Sequence, residues 1–229
     1  MNKDIEDALS ALKNKETILV YDADGREEET DMVIAGQFTS PKDIRRMRRD
    51  GGGLICMAAH PEVASKLGIP FITDVWEHSK DRYNIFKELE ANDIPYDEKS
   101  SFSITINHRK TFTGITDNDR SLTVKEFAKI TEKSLNGGDT KEFGRNFRSP
   151  GHVTLLRAAE GLLNGRQGHT ELSVSLMEQA GLIPVAVICE MMGDDGNSLS
   201  IKEAEIYAKR HNLVFLEGRR VIESFQKLY

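Results

Sequence analysis

Apolar and polar residues recur along this chain with two periods, and the period switches several times. Residues 3–14 place Ile5, Ala8, Leu9 and Leu12 at three- and four-residue spacings, the stripe of an amphipathic helix. Residues 17–21 form a short apolar run of strand length, and residues 31–38 predict a second strand. "SPKDIRRMRRDGGG" carries helix punctuation, with Ser40 as N-cap, Pro41 in the first turn and a stop at the glycines from Gly51. "LICMA" predicts a strand ending near Cys56 and His60, and "PEVASKLG" a short helix closed by Gly68. "SFSITIN" alternates as a strand does, and "SLTVKEFAKITEK" is helical in period. Residues 134–151, rich in Gly, Asn and Ser, read as a loop. "HVTLL" is a short strand, "HTELSVSLMEQAG" a helix ending at Gly181, and "PVAVICEMM" an apolar strand. A helix, the strand "LVFLEG" and a last helix follow. Helices and strands intermix without a repeat, a low-complexity tract or a long linker. The pattern predicts one α+β domain over residues 1–229, with helices packed on a mixed sheet.

Composition narrows the function. The 229 residues carry 31 basic and 37 acidic side chains, a net charge of −6. That balance argues against nucleic acid as a partner. No segment reads as a membrane span, and the polar start "MNKDIEDALSALKNKE" lacks the apolar core of a signal peptide. Two cysteines, Cys56 and Cys189, make neither a disulfide framework nor a zinc cluster, so a reducing cytoplasm is the expected setting.

The densest chemistry is "DADGREEETD", residues 22–31, which puts six carboxylates and one arginine between two apolar strands. If the chain runs extended from Arg26, then Glu27, Glu29 and Asp31 point one way and Glu28 and Thr30 the other. Three carboxylates on one edge repel each other unless a divalent cation or an arginine offsets the charge. The loop is not an EF-hand: its glycine falls at the fourth position and Val33 stands where the twelfth-position glutamate belongs. A solvated charged turn is the plain alternative.

Three further stretches carry candidate residues. In "GRQGHTE", glycines flank Arg166 and His169 where a helix begins, a candidate anion cradle to which Arg166 and Thr170 add donors. The alternative is a helix cap with a surface histidine. In "RSPGHV", His152 opens an apolar strand, where it is either a general acid–base or a packed histidine. Glu190 ends the strand "VICE", where burial would raise its pKa and suit it to proton transfer, and Cys56 is either a reactive thiol or a small core residue.

In this order, "DADGREEETDMV", "GGLIC", "TGITDNDR", "FRSPGHVTLLRA", "RQGHTE" and "ICEMM" closely resemble the 3,4-dihydroxy-2-butanone 4-phosphate synthases of riboflavin biosynthesis, over nearly the whole chain. The resemblance implies a three-layer α/β/α arrangement on a mixed sheet and a homodimer with sites near the subunit interface. It implies conversion of D-ribulose 5-phosphate to L-3,4-dihydroxy-2-butanone 4-phosphate and formate, with Mg²⁺ or Mn²⁺. It also implies that the GTP cyclohydrolase II domain fused to some relatives is absent. Carried over residue by residue, Glu27 and His169 match the metal ligands. Arg26, Glu27, Asp31, Arg166, Gln167, Gly168, His169, Thr170 and Glu190 match the substrate contacts. His152 and Glu190 match residues essential for catalysis, Cys56 an active-site thiol and Glu29 a further acid. Glu28 and Thr30 depart from the pattern, which more often has Asn or Gly and then Gly there. Two other readings share parts of this evidence: an RNA-binding module of similar fold, and a sugar-phosphate isomerase or aldolase that enolises its substrate without releasing formate.

Overall fold

A computed structural model describes residues 2–90 and 92–228. Helix α1 (Lys3–Lys13) starts at Asn2, whose side chain accepts from the Asp4 amide, and buries its predicted stripe. Strands β1 (Ile18–Tyr21) and β2 (Thr30–Ala35) bracket the acidic loop. Then come α2 (Pro41–Arg46), β3 (Cys56–Ala59), α3 (Pro61–Leu67), α4 (Ile72–Ser79), α5 (Ile85–Glu88), β4 (Phe102–His108), α6 (Asp117–Leu135), α7 (Glu142–Asn146) and β5 (Phe147–Arg157). The chain finishes with α8 (His169–Gln179), β6 (Val185–Glu190), α9 (Ile201–His211), β7 (Phe215–Glu217) and α10 (Gly218–Phe225).

Among the described residues, seven strands form one mixed sheet in the order β4-β5-β3-β6-β2-β1-β7. The β3–β5 and β1–β7 pairs are parallel and the others antiparallel. Successive residues of each strand face opposite sides, so both sides carry apolar side chains and need cover. One side packs Ile18, Val20, Val33, Ala58 and Ile188 against α1, α8 and α10. The other packs Leu19, Met32, Ile34, Met57 and Val187 against α2, α3, α6 and α9. Three layers result, as the resemblance implied. On the second side Phe127 of α6 is fully buried and meets Phe143 and Phe147 edge-on.

Three element boundaries differ from the sequence reading. The strand expected over 31–38 ends at Ala35, because Gly36–Phe38 turn into a 3-10 segment. The helix after Ser40 runs through a π-helical turn, Met47–Gly51, which brings the glycines up against β6. Residues 147–151, read as loop from Pro150 and Gly151, belong to β5. That stretch has only β4 beside it, since the pairing with β3 begins at Thr154, so a proline there interrupts no central ladder. β4 shifts register between Ile106 and Asn107, and Gly151 lies where a Cβ would sit 2.0 Å from the Ile106 carbonyl carbon.

Candidate active site

The centre of the sheet forms the floor of a cavity on the α8 side. Its register sets Asp31 opposite Glu190, and Ile188 between Val33 and Cys56. Asp31, Glu190, Ile188, Cys56 and Leu156 all line the cavity. Glu190 is half-buried rather than buried, and its carboxylate accepts from the Leu54 amide at 2.7 Å. Gly53 permits that approach, because a Cβ there would lie 2.3 Å from Glu190 Oε2.

The acidic loop forms one wall, by a different geometry from the extended run expected. Asp22 is buried, and its two oxygens accept from the amides of Glu29 (3.1 Å) and Glu27 (3.0 Å). This folds residues 22–29 into a turn. Glu28 takes a left-handed conformation (φ 58°), and its carboxylate accepts from the Gly25 amide at 2.8 Å. Glu27, Glu29 and Asp31 still share the cavity, but the turn brings Glu27 there, not strand alternation. Thr30 is fully buried.

The second wall comes from "GRQGHTE". Gly168 caps α8, and His169 is its first residue. A Cβ at Gly168 would fall 2.2 Å from Arg166 Nη1 and 2.8 Å from Arg26 Nη2, so glycine is what lets both guanidiniums close in. Arg166 Nη1 donates to Glu171 at 2.8 Å, and Glu171 also accepts from the Ala159 amide at 2.9 Å. Arg26 Nη1 donates to Glu27 at 2.8 Å. His169 Nδ1 lies 3.4 Å from Glu27 Oε2, and its Nε2 lies 3.7 Å from Asp31 Oδ1. Thr170 lines the cavity beside them.

Burial and crowding shape the charges. Burial pushes the Asp31 carboxyl far up; the imidazolium of His169 opposes this, and Glu190 and Glu27 add to it. Glu29 is raised by burial and then by Glu190 and Glu27. Glu27 goes the other way. Burial raises it, but the hydrogen bond and charge of His169, with Arg26, outweigh that and hold it at about 2. Burial lowers His169, yet Asp31 and Glu27 bring it well above an ordinary histidine. The Cys56 thiol is raised well above its ordinary value by burial and the nearby Glu190 and Asp31, so it is protonated at neutral pH.

The donor set fits a hard divalent cation. Asp22, Glu27 and His169 offer ligand atoms within 4.8 Å of one another. Among the described residues, His169 Nε2 and Asp31 Oδ1 are buried atoms without a hydrogen-bond partner, although they face one another. Both Asp22 oxygens already bind backbone amides, so Asp22 braces the loop and leaves Glu27 and His169 as the candidate ligand pair. Mg²⁺ uses one or two protein ligands and keeps other positions for water and substrate.

Glu27, Glu29, Asp31, Cys56, Arg166, His169, Thr170 and Glu190 thus meet in one cavity, with Arg26 and Gly168 behind it. Two residues do not join them. Gln167 is exposed and does not line the cavity. His152 is exposed, its Nδ1 held 3.1 Å from Asn107 Nδ2. It lies in the bulge of β5 between Arg148 and Val153, which pair with neighbouring residues of β4, and it does not line the cavity. Reading the sequence alone also missed Asp22 and Glu171, whose roles depend on backbone amides, and the segment around Tyr96, Asp97 and Lys99, which lines the cavity. The acidity of "PYDEK" was the one signal there.

Comparison with known proteins agrees with this geometry. The family model for 3,4-dihydroxy-2-butanone 4-phosphate synthase matches residues 6–224. A protein of that name from Methanothermobacter thermautotrophicus is 55% identical over 224 residues, covering 97% of this chain and 96% of the relative. One from Archaeoglobus fulgidus is 45% identical, covering 98% and 94%. A crystal structure of a synthase of that name in complex with two magnesium ions superposes with a TM-score of 0.76 at 28% identity, covering 97% of this chain and 96% of that one. Layered fold, acidic cavity and relatives together define an enzyme, a lyase. The chain belongs to the 3,4-dihydroxy-2-butanone 4-phosphate synthase family.

Proposed function

We propose that this chain converts D-ribulose 5-phosphate to L-3,4-dihydroxy-2-butanone 4-phosphate and formate. One observation carries the reading: a single cavity sets Arg166, with Arg26 behind it, beside the Glu27–His169 carboxylate–imidazole pair and four more acids, Glu29, Asp31, Asp97 and Glu190. Arg26 and Arg166, with Thr170 at the N-terminus of α8, hold the phosphate. Anchoring there orients the sugar carbons toward the sheet floor. Glu27 and His169 hold the cation, Mg²⁺ or Mn²⁺, which when bound supplies positive charge against the negative charge of enolisation. Glu29, Asp31 and Glu190 surround the reacting carbons. They take the carbon 3 proton and return protons as the carbon 1 hydroxyl leaves, the skeleton shifts, water adds and carbon 4 departs as formate. Burial and neighbouring carboxylates raise Glu29 and Asp31, which suits groups that must both give and take protons. Cys56 contributes a neutral thiol to the wall.

The same reading makes the chain one synthase domain, working as a homodimer in the cytoplasm, with no nucleic-acid partner. His152 then serves the site of the partner subunit, which accounts for its absence from the cavity lining in its own chain. No described helix is long and apolar enough to cross a membrane.

The test is cation dependence with formate as readout. Chelation is expected to abolish formate release, and Mg²⁺ or Mn²⁺ to restore it. Glu27→Gln and His169→Asn should lower turnover by more than the roughly 10- to 100-fold that loss of a ligand's outer hydrogen-bond partner costs. Full activity in a chelated sample would remove this pair as ligands.

A further inference from the structure

Residues 92–101 contain no helix or strand, yet they cross the mouth of the cavity between α5 and β4. Asp97 anchors them. Its carboxylate binds Nη2 of Arg26 and Nη2 of Arg166, the latter at 2.5 Å, and its side chain is only 15% exposed. The two arginines are held differently on their other sides. Arg166 Nη1 is fixed from behind by Glu171, which is fully buried and also tied to the Ala159 amide. Arg26 Nη1 is fixed by Glu27 and lies 3.4 Å from Asp22. Asp97 bridges the two Nη2 atoms, and Arg166 Nη2 also lies 3.6 Å from Glu27. The Tyr96 ring lies against the Arg26 guanidinium, 5.8 Å from ring centre to carbon, and completes the hold.

We propose that Asp97 is a displaceable internal anion: it occupies the Arg26–Arg166 cradle until the phosphate of a substrate drives it out and releases residues 92–101 from the cavity mouth. The inference rests on the reading of those arginines as the phosphate cradle. One carboxylate charge bridges two cations, and a phosphate dianion brings twice the charge and a third acceptor oxygen. A neutral sugar has nothing to offer in exchange. Asp97 thereby keeps two like charges paired and aligned before substrate arrives, and it makes the phosphate the key that opens the site.

The arrangement predicts a sign opposite to that of an ordinary binding residue. Removing a competitor strengthens binding by the fraction of time the competitor was in place, so nine-tenths occupancy corresponds to about tenfold. Inorganic phosphate titrated calorimetrically into the metal-free protein should bind about tenfold more tightly to Asp97→Asn and Asp97→Ala than to the parent. Phosphate should also speed amide exchange at residues 96–99 of the parent chain, a readout that needs no variant. Unchanged or weaker phosphate binding in both variants, or exchange unaffected by phosphate, overturns the inference. Formate assays on the same preparations separate the two claims. A parent that releases formate while the titrations fail leaves the function standing and removes the role of Asp97. Tighter phosphate binding in a protein that releases no formate does the reverse.

Discussion

Asp31 illustrates how one side chain sets stability against function. Its carboxyl is fully buried, opposite Glu190 and beside Glu27, and these raise its pKa in the folded chain. A carboxyl raised on folding stabilises the fold most below its unfolded pKa and loses that contribution as pH rises through the folded value. In the metal-free protein the loss accumulates from about pH 4 upward. Asp31→Asn is therefore expected to melt higher than the parent at pH 8 in chelator, by about 3 °C or more, which is about 1 kcal/mol for a chain of this size. The gap should close toward pH 4, and formate release should be lost. Equal melting at both pH values would show that burial of this charge costs the fold nothing. Asp31, Glu27 and Glu29 were legible as a group because acid density between two strands is visible in one dimension. Asp22 was not legible as their brace, because it acts through the amides of residues five and seven positions on.

At the scale of elements, two glycines make the same local demand with different consequences. A Cβ at Gly53 meets the carboxylate, Cβ and backbone oxygen of Glu190 at 2.3, 2.7 and 2.8 Å, of which only the carboxylate can swing away. A Cβ at Gly151 meets the backbone of Ile106 and Asn107 within the β4–β5 pair, which cannot. Gly53→Ala should thus lower the melting temperature and also lose turnover by at least about tenfold as Glu190 is displaced. Gly151→Ala should lose about 2 kcal/mol or more of stability, read as a lower urea midpoint. A Gly53 variant with full turnover would show that the position of Glu190 is not critical. These elements also mark where periodicity stops informing. The buried stripe of α1 and the alternation of β4 were plain in the residues, whereas Pro150 and Gly151 read as loop because their tolerance depends on a missing second neighbour and a register shift in β4. The cavity-lining stretch around Asp97 has no period at all, so only the fold brings it to the arginines.

On the proposed reading, His152 acts in a cavity that it does not line in its own chain. A two-fold dimer in which each chain lends this residue to its partner would bring it there, and light scattering should then give about twice the 25.7 kDa chain mass. His152→Asn and Glu190→Gln should each lower kcat by roughly two to four orders of magnitude. When the two inactive chains are mixed and allowed to exchange, half the dimers carry one intact site of two, so about a quarter of parental activity should return. No recovery after demonstrated exchange would mean that His152 works within its own chain or not in the site. Fold and most of the cavity were legible because the motifs span nearly the whole chain in order, while the proposed reach of His152 would be a property of two chains. The most direct test of the central claim follows one atom. Ribulose 5-phosphate labelled with ¹³C at carbon 4 is incubated with the protein and Mg²⁺ and followed by NMR. The account predicts labelled formate in equal amount with an unlabelled four-carbon keto phosphate. Label retained in a five-carbon sugar phosphate, or in a retro-aldol fragment, would contradict it.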